Sequence, residues 1–378
     1  MVQDVAPAGT YDLGPGYLGP DLLPVRLLAN AYANAFASYG PAALSYGNDS
    51  GVLLLRELLA ERATVADGVP CAADQIVVTA GTSMALQLLT ATMAARGEVA
   101  LVDELAYDYG VQILHDSGLR VERIAGDENG MHPESLADRL ASVQARGDRA
   151  SVLYLNPTFQ NPLGFTMPEQ RRRELIDLAT RSGLLIIEDD AYAELPLDPV
   201  SIPPSLAALS GYRNVVRLCS FSKVLGPGLR LGWMLTSRRL ARQLAAHGVF
   251  ASGGSLNHVT SLAVTTLLAD GSYDGHLHWL RRELRDRWQI LTSTLLGSLE
   301  AGALLRSTAG GLFGWLELPG WPTERSVMDA AAEVGVRVSA GSRFGTPAVP
   351  SVRLSHSFCT RTDLAEAAAR LITAWSTP

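Results

Sequence analysis

The most distinctive feature of this 378-residue sequence is its single lysine. Of the 31 basic side chains, 30 are arginine and one is Lys223. Both side chains keep a positive charge in water, but arginine stays protonated and cannot act as a nucleophilic amine. Lys223 is therefore a candidate catalytic amine. The alternative is that an arginine-rich composition left one lysine by chance.

Three more polar segments follow strand-like runs, as Lys223 does, and ligands of parallel sheets bind beyond such strand ends. Residues 81–83 (Gly-Thr-Ser) begin a helix-like segment, which suits either a phosphate site or an ordinary helix cap. In residues 156–164, Asn161 lies between two prolines, which suits either a rigidly held polar amide or an ordinary proline-rich turn. Residues 188–192 (Glu-Asp-Asp-Ala-Tyr) bring three carboxylates together, which raises their pKa values unless a cation or a proton donor is shared. A helix N-cap is the alternative for this last segment.

Strand-like and helix-like segments alternate in the middle of the chain, which predicts an α/β fold with a largely parallel sheet. A helix is predicted after the fourth strand, with Thr166 and Glu169 at capping-box spacing and Gly183 after the last turn. The predicted strands cover residues 76–79, 99–102, 121–124, 152–155, 184–187 and 215–218.

After about residue 255 the pattern changes. A long arginine-rich helical stretch runs from Trp279 to Leu299, and residues 310–315 (Gly-Gly-Leu-Phe-Gly-Trp) form a strand-like turn motif. This change predicts a second, smaller α+β domain.

Composition argues against several classes of partner. Charged residues are 18%, hydrophobic residues 47% and the net charge is −7, which gives no electrostatic reason to expect nucleic acid or an acidic membrane. Cys71, Cys219 and Cys359 lack the spacing of a disulfide framework or zinc site, and His276 and His278 lack that of metal ligands. The amino terminus lacks signal-peptide features, and no apolar run reaches the ~18 residues of a membrane span. We therefore expect a cytoplasmic protein without a metal.

Taken in order, these segments resemble the motifs of the class I and II aminotransferases, pyridoxal 5′-phosphate enzymes of fold type I. The resemblance runs from roughly Gly16 to the C-terminus. It implies a large cofactor-binding domain, with a mostly parallel central sheet sandwiched by helices, and a smaller α+β domain. We expect residues 1–40 to form an N-terminal arm and part of the small domain, residues 41–260 the large domain and residues 261–378 the C-terminal small domain. The motifs are residues 220–232 (Ser-Phe-Ser-Lys to Gly-Leu-Arg-Leu-Gly), 161–164 (Asn-Pro-Leu-Gly) and 189–192 (Asp-Asp-Ala-Tyr).

The resemblance implies roles for the catalytic and cofactor-binding residues. It implies that Lys223 forms a Schiff base with the cofactor aldehyde and then moves a proton, which requires a lowered amine pKa. It implies that Asp189 pairs with the pyridine nitrogen, which keeps the ring an electron acceptor. Asn161 and Tyr192 are expected to hydrogen-bond the 3-oxygen of the ring, and Tyr107 to stack on its face. The residues expected around the phosphate are Gly81, Thr82, Ser220, Ser222 and Arg230.

Other residues are implied to bind substrate or a neighbouring subunit. Arg353, in residues 351–355 (Ser-Val-Arg-Leu-Ser), resembles the arginine that binds the substrate α-carboxylate, which a planar guanidinium pairs with bidentately. Tyr46 resembles the tyrosine that reaches the phosphate of the neighbouring subunit's cofactor, which implies a homodimer with shared active sites. The residues expected to line the substrate pocket are Gly16, Tyr17, Leu18 and Phe344, with Asn161 beside Arg353.

The resemblance implies transfer of an amino group from an L-amino acid to a 2-oxo acid. Residues 159–162 (Phe-Gln-Asn-Pro) resemble the corresponding segment in one branch of the family, which contains aminoadipate and kynurenine-type aminotransferases and regulator-fused aminotransferase domains. This resemblance favours substrates with long or aromatic side chains. The same scaffold also supports β- or γ-elimination or replacement, decarboxylation and ring-forming carbon–carbon chemistry, and these stay alternatives. A transcription regulator is disfavoured because Arg26 is the one basic residue among the first forty.

Overall fold

The fold is seen in a computed structural model that describes residues 6–296, 299 and 302–376. Residues 297 and 298 of the predicted helical stretch, and residues 1–5 and 377–378 of the predicted domains, lie outside the described residues.

Strands in the described part of the chain form one seven-stranded sheet, one four-stranded sheet and two short pairs. They are β1 (Tyr11–Asp12), β2 (Ile76–Thr79), β3 (Val99–Asp103), β4 (Arg120–Ile124), β5 (Gly126–Asp127), β6 (Gly130–Met131), β7 (Ala150–Leu155), β8 (Leu185–Asp189), β9 (Val215–Ser220), β10 (Gly232–Leu235), β11 (Leu304–Arg306), β12 (Phe313–Glu317), β13 (Val336–Arg337), β14 (Ser339–Ala340) and β15 (Ser351–Ser355).

The α-helices of the same described ranges mostly connect or cover these strands. They are α1 (Val25–Tyr39), α2 (Leu53–Asp67), α3 (Thr82–Met93), α4 (Asp108–Asp116), α5 (Pro133–Ala145), α6 (Glu169–Arg181), α7 (Leu206–Leu209), α8 (Arg238–Ala245), α9 (Gly248–Ala251), α10 (His258–Ala269), α11 (Ser272–Leu295), α12 (Glu324–Glu333) and α13 (Arg361–Trp375). Among the described residues, none of these helices is both long and apolar enough to cross a membrane.

The large sheet has the strand order β2-β10-β9-β8-β7-β3-β4. Strand β10 is antiparallel to both neighbours, and every other neighbouring pair is parallel, which confirms the predicted α/β class with a mostly parallel sheet. All six predicted strands belong to this sheet, with bounds within two residues of those expected. Strand β10 was not predicted, because its four residues directly follow the 220–232 motif and form no separate apolar run.

Both faces of the large sheet are buried. Along β2, Val77 packs into one apolar cluster while Ile76 and Val78 pack into the other. Side chains of a strand alternate between its two faces, so a strand covered by helices on both sides is apolar throughout. The four-stranded antiparallel sheet packs into a separate cluster that includes Leu316 and Trp375. The domain boundaries at residues 40/41 and 260/261 stay a prediction.

The predicted capping box of α6 is wrong. The helix begins at Glu169 after Pro168, which has no side-chain capping hydrogen bond. The hydroxyl of Thr166 instead accepts a hydrogen bond from the backbone N–H of Phe159, at 3.3 Å, so it stabilises the preceding turn. Gly183 does follow the helix, with φ of 68°, in the left-handed conformation that favours glycine.

The parallel register brings the polar segments to one edge of the sheet. Leu155 of β7 pairs with Glu188 of β8, and Asp189 of β8 pairs with Leu218 of β9. Because these strands run in the same direction, their carboxyl ends lie side by side. The residues that follow each strand therefore meet there.

Arg172 of α6 fixes the loop that follows β7. Its side chain is fully buried and donates to the carbonyl oxygen of Pro157 at 3.2 Å and to the hydroxyl of Thr158 at 2.9 Å. It also donates to the carbonyl of Met167 at 2.9 Å and lies 3.8 Å from a carboxylate oxygen of Glu188. The loop that carries Asn161 is thus held by one buried cation.

We expect Arg172→Met to lower the free energy of unfolding, measured by urea denaturation, by about 3 to 5 kcal/mol, because it removes the charge beside the buried Glu188 carboxylate and leaves several buried carbonyls without their donor. The matched control is Arg173→Met, on the same helix. Arg173 has 52% of its side chain exposed and pairs only with Glu169, so its loss should cost less than about 1 kcal/mol. Equal effects of the two substitutions would contradict the role given to Arg172.

Candidate active site

A cavity of about 770 Å³ opens at the carboxyl ends of β7, β8 and β9. Residues from all four polar segments line it, together with the N-terminal arm and the small sheet. The sequence-predicted residues that line it are Gly16, Tyr17, Thr82, Tyr107, Asn161, Asp189, Tyr192, Ser220, Ser222, Lys223, Arg230 and Arg353.

Lys223 lies three residues beyond the end of β9 and projects into this cavity. Its Nζ donates to the carbonyl oxygen of Gly16 at 2.7 Å and lies 5.6 Å from the centroid of the Tyr192 ring. The pKa of the amine is lowered to about 8, chiefly by burial; the charge of Asp189 opposes this shift, and the positive charges of Arg353 and Arg230 contribute to it. In a fraction of the molecules the amine is therefore neutral, and hence nucleophilic, near neutral pH.

Asp189 ends β8 with one carboxylate oxygen satisfied and the other not. Oδ2 accepts the hydroxyl of Tyr154 at 2.6 Å, and the backbone carbonyl accepts the amide of Asn156 at 2.6 Å. Oδ1 is buried and has no hydrogen-bond partner among the described residues. Burial raises the pKa of Asp189 to about 6, while the Tyr154 hydrogen bond and the charge of Lys223 oppose the rise. A buried acceptor without a donor is costly, so Oδ1 suits a ligand with a protonated nitrogen.

The start of α3 and the segment after β9 form a cationic cradle. Gly81 precedes the helix with φ of 85°, and a Cβ there would lie 2.6 Å from Nη2 of Arg230, so a side chain would strain the backbone and displace the guanidinium. Arg230 donates only to backbone carbonyls, those of Pro227 at 3.2 Å and Ala80 at 3.3 Å. Helix N–H groups, hydroxyls and a guanidinium together suit a phosphate. The hydroxyls are those of Thr82, Ser83, Ser220 and Ser222, the last two 2.8 Å apart.

Arg353 of β15 is a buried cation without an anion. It is 5% exposed, and its guanidinium carbon lies 3.9 Å and 4.7 Å from the ring centroids of Phe313 and Phe344. Nη1 donates to Oδ1 of Asn161 and Nη2 to the carbonyl of Gly14, each at 2.8 Å. No carboxylate of the described chain pairs with it, and burial lowers its pKa to about 10. Because buried charges are normally paired, this cation suits a carboxylate ligand.

Some predicted residues lie outside the cavity lining. Tyr46 is 85% exposed, and Leu18 is 1% exposed within the apolar core. Phe344 packs behind Arg353 rather than lining the cavity, and Gly81 contributes through its approach to Arg230. Tyr107 lines the cavity, with its ring centroid 5.9 Å from that of Tyr109 in an edge-to-face contact. The roles implied for all of these residues stay predictions.

The sequence reasoning gave no role to several residues that build the site. Tyr154 and Asn156 both hold Asp189, and Asn156 also accepts the backbone N–H of Asn161 at 2.7 Å. Their i, i+2 spacing places them on one face of β7, which was a readable signal. Phe313 and Gly14 touch Arg353 only through tertiary packing, so no local pattern indicated them.

Comparisons with known proteins agree with this geometry. The family model described as aminotransferase class I and II matches residues 17–371. The chain is 29% identical over 370 residues to the 2-aminoadipate transaminase of Thermus thermophilus, covering 96% of this chain and 89% of the relative. It is 30% identical over 365 residues to the uncharacterized HTH-type transcriptional regulator YisV of Bacillus subtilis, covering 96% and 73%. The solved kynurenine aminotransferase of Pyrococcus horikoshii, in complex with PMP, is 25% identical with a TM-score of 0.89, covering 97% and 91%.

The lowered pKa of Lys223 predicts its reactivity in the cofactor-free protein. Acetylation of Lys223 by acetic anhydride, followed by mass spectrometry, should increase with pH around a midpoint of about 8 rather than 10.5. Asp189→Asn should move that midpoint lower, because the carboxylate stabilises the ammonium form. A wild-type midpoint near 10.5 would contradict the buried position of the amine.

Proposed function

The chain belongs to the class I and II aminotransferase family, and from this premise we propose that it takes the amino group of L-amino acids with long or aromatic side chains and passes it to a 2-oxo acid. The protein is an enzyme that transfers amino groups, and its cofactor is pyridoxal 5′-phosphate. The observation that carries the assignment is the single cavity that contains the only lysine, a carboxylate oxygen without a donor and a buried arginine without an anion.

The donor set of the cavity fits this cofactor. Bound pyridoxal 5′-phosphate supplies an aldehyde that bonds amines and a ring that withdraws electrons from the carbon beside that nitrogen. Oδ1 of Asp189 would hold a proton on the ring nitrogen, and Asn161 and Tyr192 would hydrogen-bond the ring oxygen. Tyr107 would lie against the ring face. The phosphate would be held by Gly81, Thr82, Ser220, Ser222 and Arg230.

Lys223 would do the covalent and proton-transfer work of the site. Its lowered pKa leaves Nζ neutral often enough to attack an aldehyde. As a neutral amine beside the bound substrate, Nζ could accept a proton from the substrate's α-carbon and donate it to a neighbouring atom of the same bound molecule. The hydrogen bond to Gly16 holds this nitrogen beside the N-terminal arm.

Arg353 would orient the substrate. A carboxylate would give its guanidinium the anion that the described residues do not provide, in a bidentate geometry that fixes the α-carbon relative to Lys223. Phe313 and Phe344 prevent the guanidinium from turning away. Gly16 and Tyr17 would cover the substrate from the N-terminal arm.

The rest of the cavity supports a long or aromatic substrate side chain. Tyr17, Tyr109, Met328 and Val338 give it apolar surface. Arg343, which also lines it, forms an ion pair with Asp108 and lies over the Tyr109 ring, 5.2 Å from its centroid, so its charge is already balanced. The two similar aminotransferases, named for 2-aminoadipate and kynurenine, point in the same direction.

The active protein would be a homodimer built from the domains expected above. Tyr46 is 85% exposed and lies near the exposed apolar side chains of Leu44 and Leu53 in the sequence, at 75% and 54% exposure. A second copy would bury this surface and bring Tyr46 to the neighbouring phosphate. Sedimentation at the mass of one 40.3 kDa chain would exclude the dimer.

Amino transfer is favoured over the alternatives on the same scaffold. The family match and the similar aminotransferases support it, and neither supports elimination, replacement or ring-forming chemistry.

A donor panel tests the proposed function. The protein loaded with cofactor should form 2-oxo acids from phenylalanine, kynurenine and 2-aminoadipate in the presence of 2-oxoglutarate. The kcat/KM values of phenylalanine and kynurenine should exceed that of alanine by roughly tenfold or more, since each buried apolar side chain contributes about 1.5 to 3 kcal/mol. Lys223→Ala should show no turnover. A spectral response without 2-oxo acid release would indicate binding without transfer, and release of ammonia or side-chain fragments would indicate elimination.

The role of Arg353 predicts a selective kinetic defect. Arg353→Gln should raise the KM for the amino acid on the order of 100-fold, because a buried charge pair is lost, and change cofactor affinity less than about threefold. The control is Arg306→Gln, on β11 of the same sheet, where the arginine pairs with Glu317. Equal losses of substrate and cofactor affinity would show that Arg353 does not hold the substrate carboxylate.

A further inference from the structure

The hydroxyl of Tyr154 is committed to one carboxylate oxygen. Tyr154 is 2% exposed, and its hydroxyl lies 2.6 Å from Oδ2 of Asp189, a distance typical of a hydroxyl that donates to a charged oxygen. Burial and the adjacent Asp189 raise the pKa of Tyr154 well above its usual value, so it stays protonated and donates. The hydroxyl therefore stabilises Asp189 in its charged form.

The strand register explains why the two side chains meet. Tyr154 of β7 pairs with Ile187 of β8, so Tyr154 and Asp189 lie on the same face, two residues out of line along neighbouring strands. Asn156 holds the backbone carbonyl of Asp189 from the same face. Asp189 is thus held at its side chain by Tyr154 of β7 and at its backbone by Asn156, the residue that follows this strand.

A glycine on the facing helix leaves room for the tyrosine. Gly110 lies in the first turn of α4 and is buried there. A Cβ at this position would lie 2.5 Å from the hydroxyl oxygen of Tyr154 and 2.8 Å from the adjacent ring carbon. Glycine is unfavourable inside a helix by about 1 kcal/mol relative to alanine. Its presence here has a local reason, because any side chain would displace the Tyr154 hydroxyl.

We propose that Tyr154 is a positioning residue for Asp189 and that Gly110 admits it. The hydroxyl fixes Oδ2, so that Oδ1 alone is presented to the ring nitrogen of the cofactor. This inference rests on the proposed role of Asp189. The second oxygen of a carboxylate that is free to rotate competes for the same proton; a fixed one gives the ring nitrogen a single acceptor with its negative charge intact.

Removing the hydroxyl has a definite electrostatic consequence. Without Tyr154 as donor, burial raises the pKa of Asp189 further, and a protonated Asp189 holds the proton on the ring nitrogen less well. The other titratable groups that act on Asp189 are Lys223, Asp190, Tyr107 and Tyr192, and they stay in place. A bound ring with less positive charge would withdraw fewer electrons from Nζ of Lys223. The pKa of that nitrogen would therefore rise.

The test compares Tyr154→Phe, Gly110→Ala and Tyr212→Phe in the cofactor-loaded protein. Tyr212 is the matched control, because it is 5% exposed and its hydroxyl contacts the carbonyl of Val69, at 3.4 Å, and the thiol of Cys71, outside the lining of the active-site cavity. For Tyr154→Phe, the pH midpoint of the cofactor absorbance should rise by about half a unit or more. Its kcat should fall roughly tenfold, with the KM for the amino acid within about twofold.

Gly110→Ala tests the same hydrogen bond from the helix side without removing the hydroxyl. It should shift the absorbance midpoint in the same direction, with circular dichroism unchanged, since alanine favours the helix. This variant also decides the matter if Tyr154→Phe fails to fold. If Tyr154→Phe and Gly110→Ala both leave the absorbance midpoint where Tyr212→Phe leaves it, while the protein binds cofactor and transfers amino groups, the positioning role alone would be overturned. A wild-type protein without cofactor absorbance or transfer would overturn the proposed function and this inference with it.

Discussion

The buried carboxylate of Asp189 is the group on which the rest of the site depends. It ends an apolar strand, where burial alone would neutralise it, and three neighbours keep one of its oxygens available: Tyr154 and Asn156 hold it in place, and Lys223 opposes the loss of its charge. The oxygen that remains has no donor among the described residues. Such an arrangement is costly in a protein without a ligand and becomes favourable when a protonated nitrogen lies opposite it.

Arg353 is a second buried charged group in the lining of the same cavity. Arg353 is buried between two aromatic rings and donates only to neutral oxygens. A carboxylate oxygen without a donor, a cation without an anion and an amine of lowered pKa line one cavity, and together they suit a protonated ring nitrogen and a carboxylate as ligands. The large sheet supplies the first group and the small sheet the second, so the site needs both parts of the fold.

The residues that carry the chemistry of the site could be predicted from the sequence, whereas most of the residues that position them could not. Lys223 stands out because it is the only lysine, and Asp189, Asn161 and Arg353 lie in motifs with family spacing. The mostly parallel sheet followed from six strand-like runs of four residues that alternate with helix-like segments. By contrast, β10 has no separate apolar run, and the Thr166 hydroxyl is used by a turn that no capping pattern reveals. Gly110, Arg172 and Phe313 act through contacts with Tyr154, Thr158 and Arg353, respectively. These partners are 14 to 44 positions away in the sequence, so a local pattern does not reveal the contacts.

Location of the cofactor on the chain tests the central claim most directly. The purified protein is reconstituted with pyridoxal 5′-phosphate, reduced with borohydride, digested and analysed by mass spectrometry. We expect one phosphopyridoxyl group per chain, attached to the peptide that contains Lys223. Attachment at the terminal amine instead, or a reconstituted protein that takes up no cofactor, would contradict it.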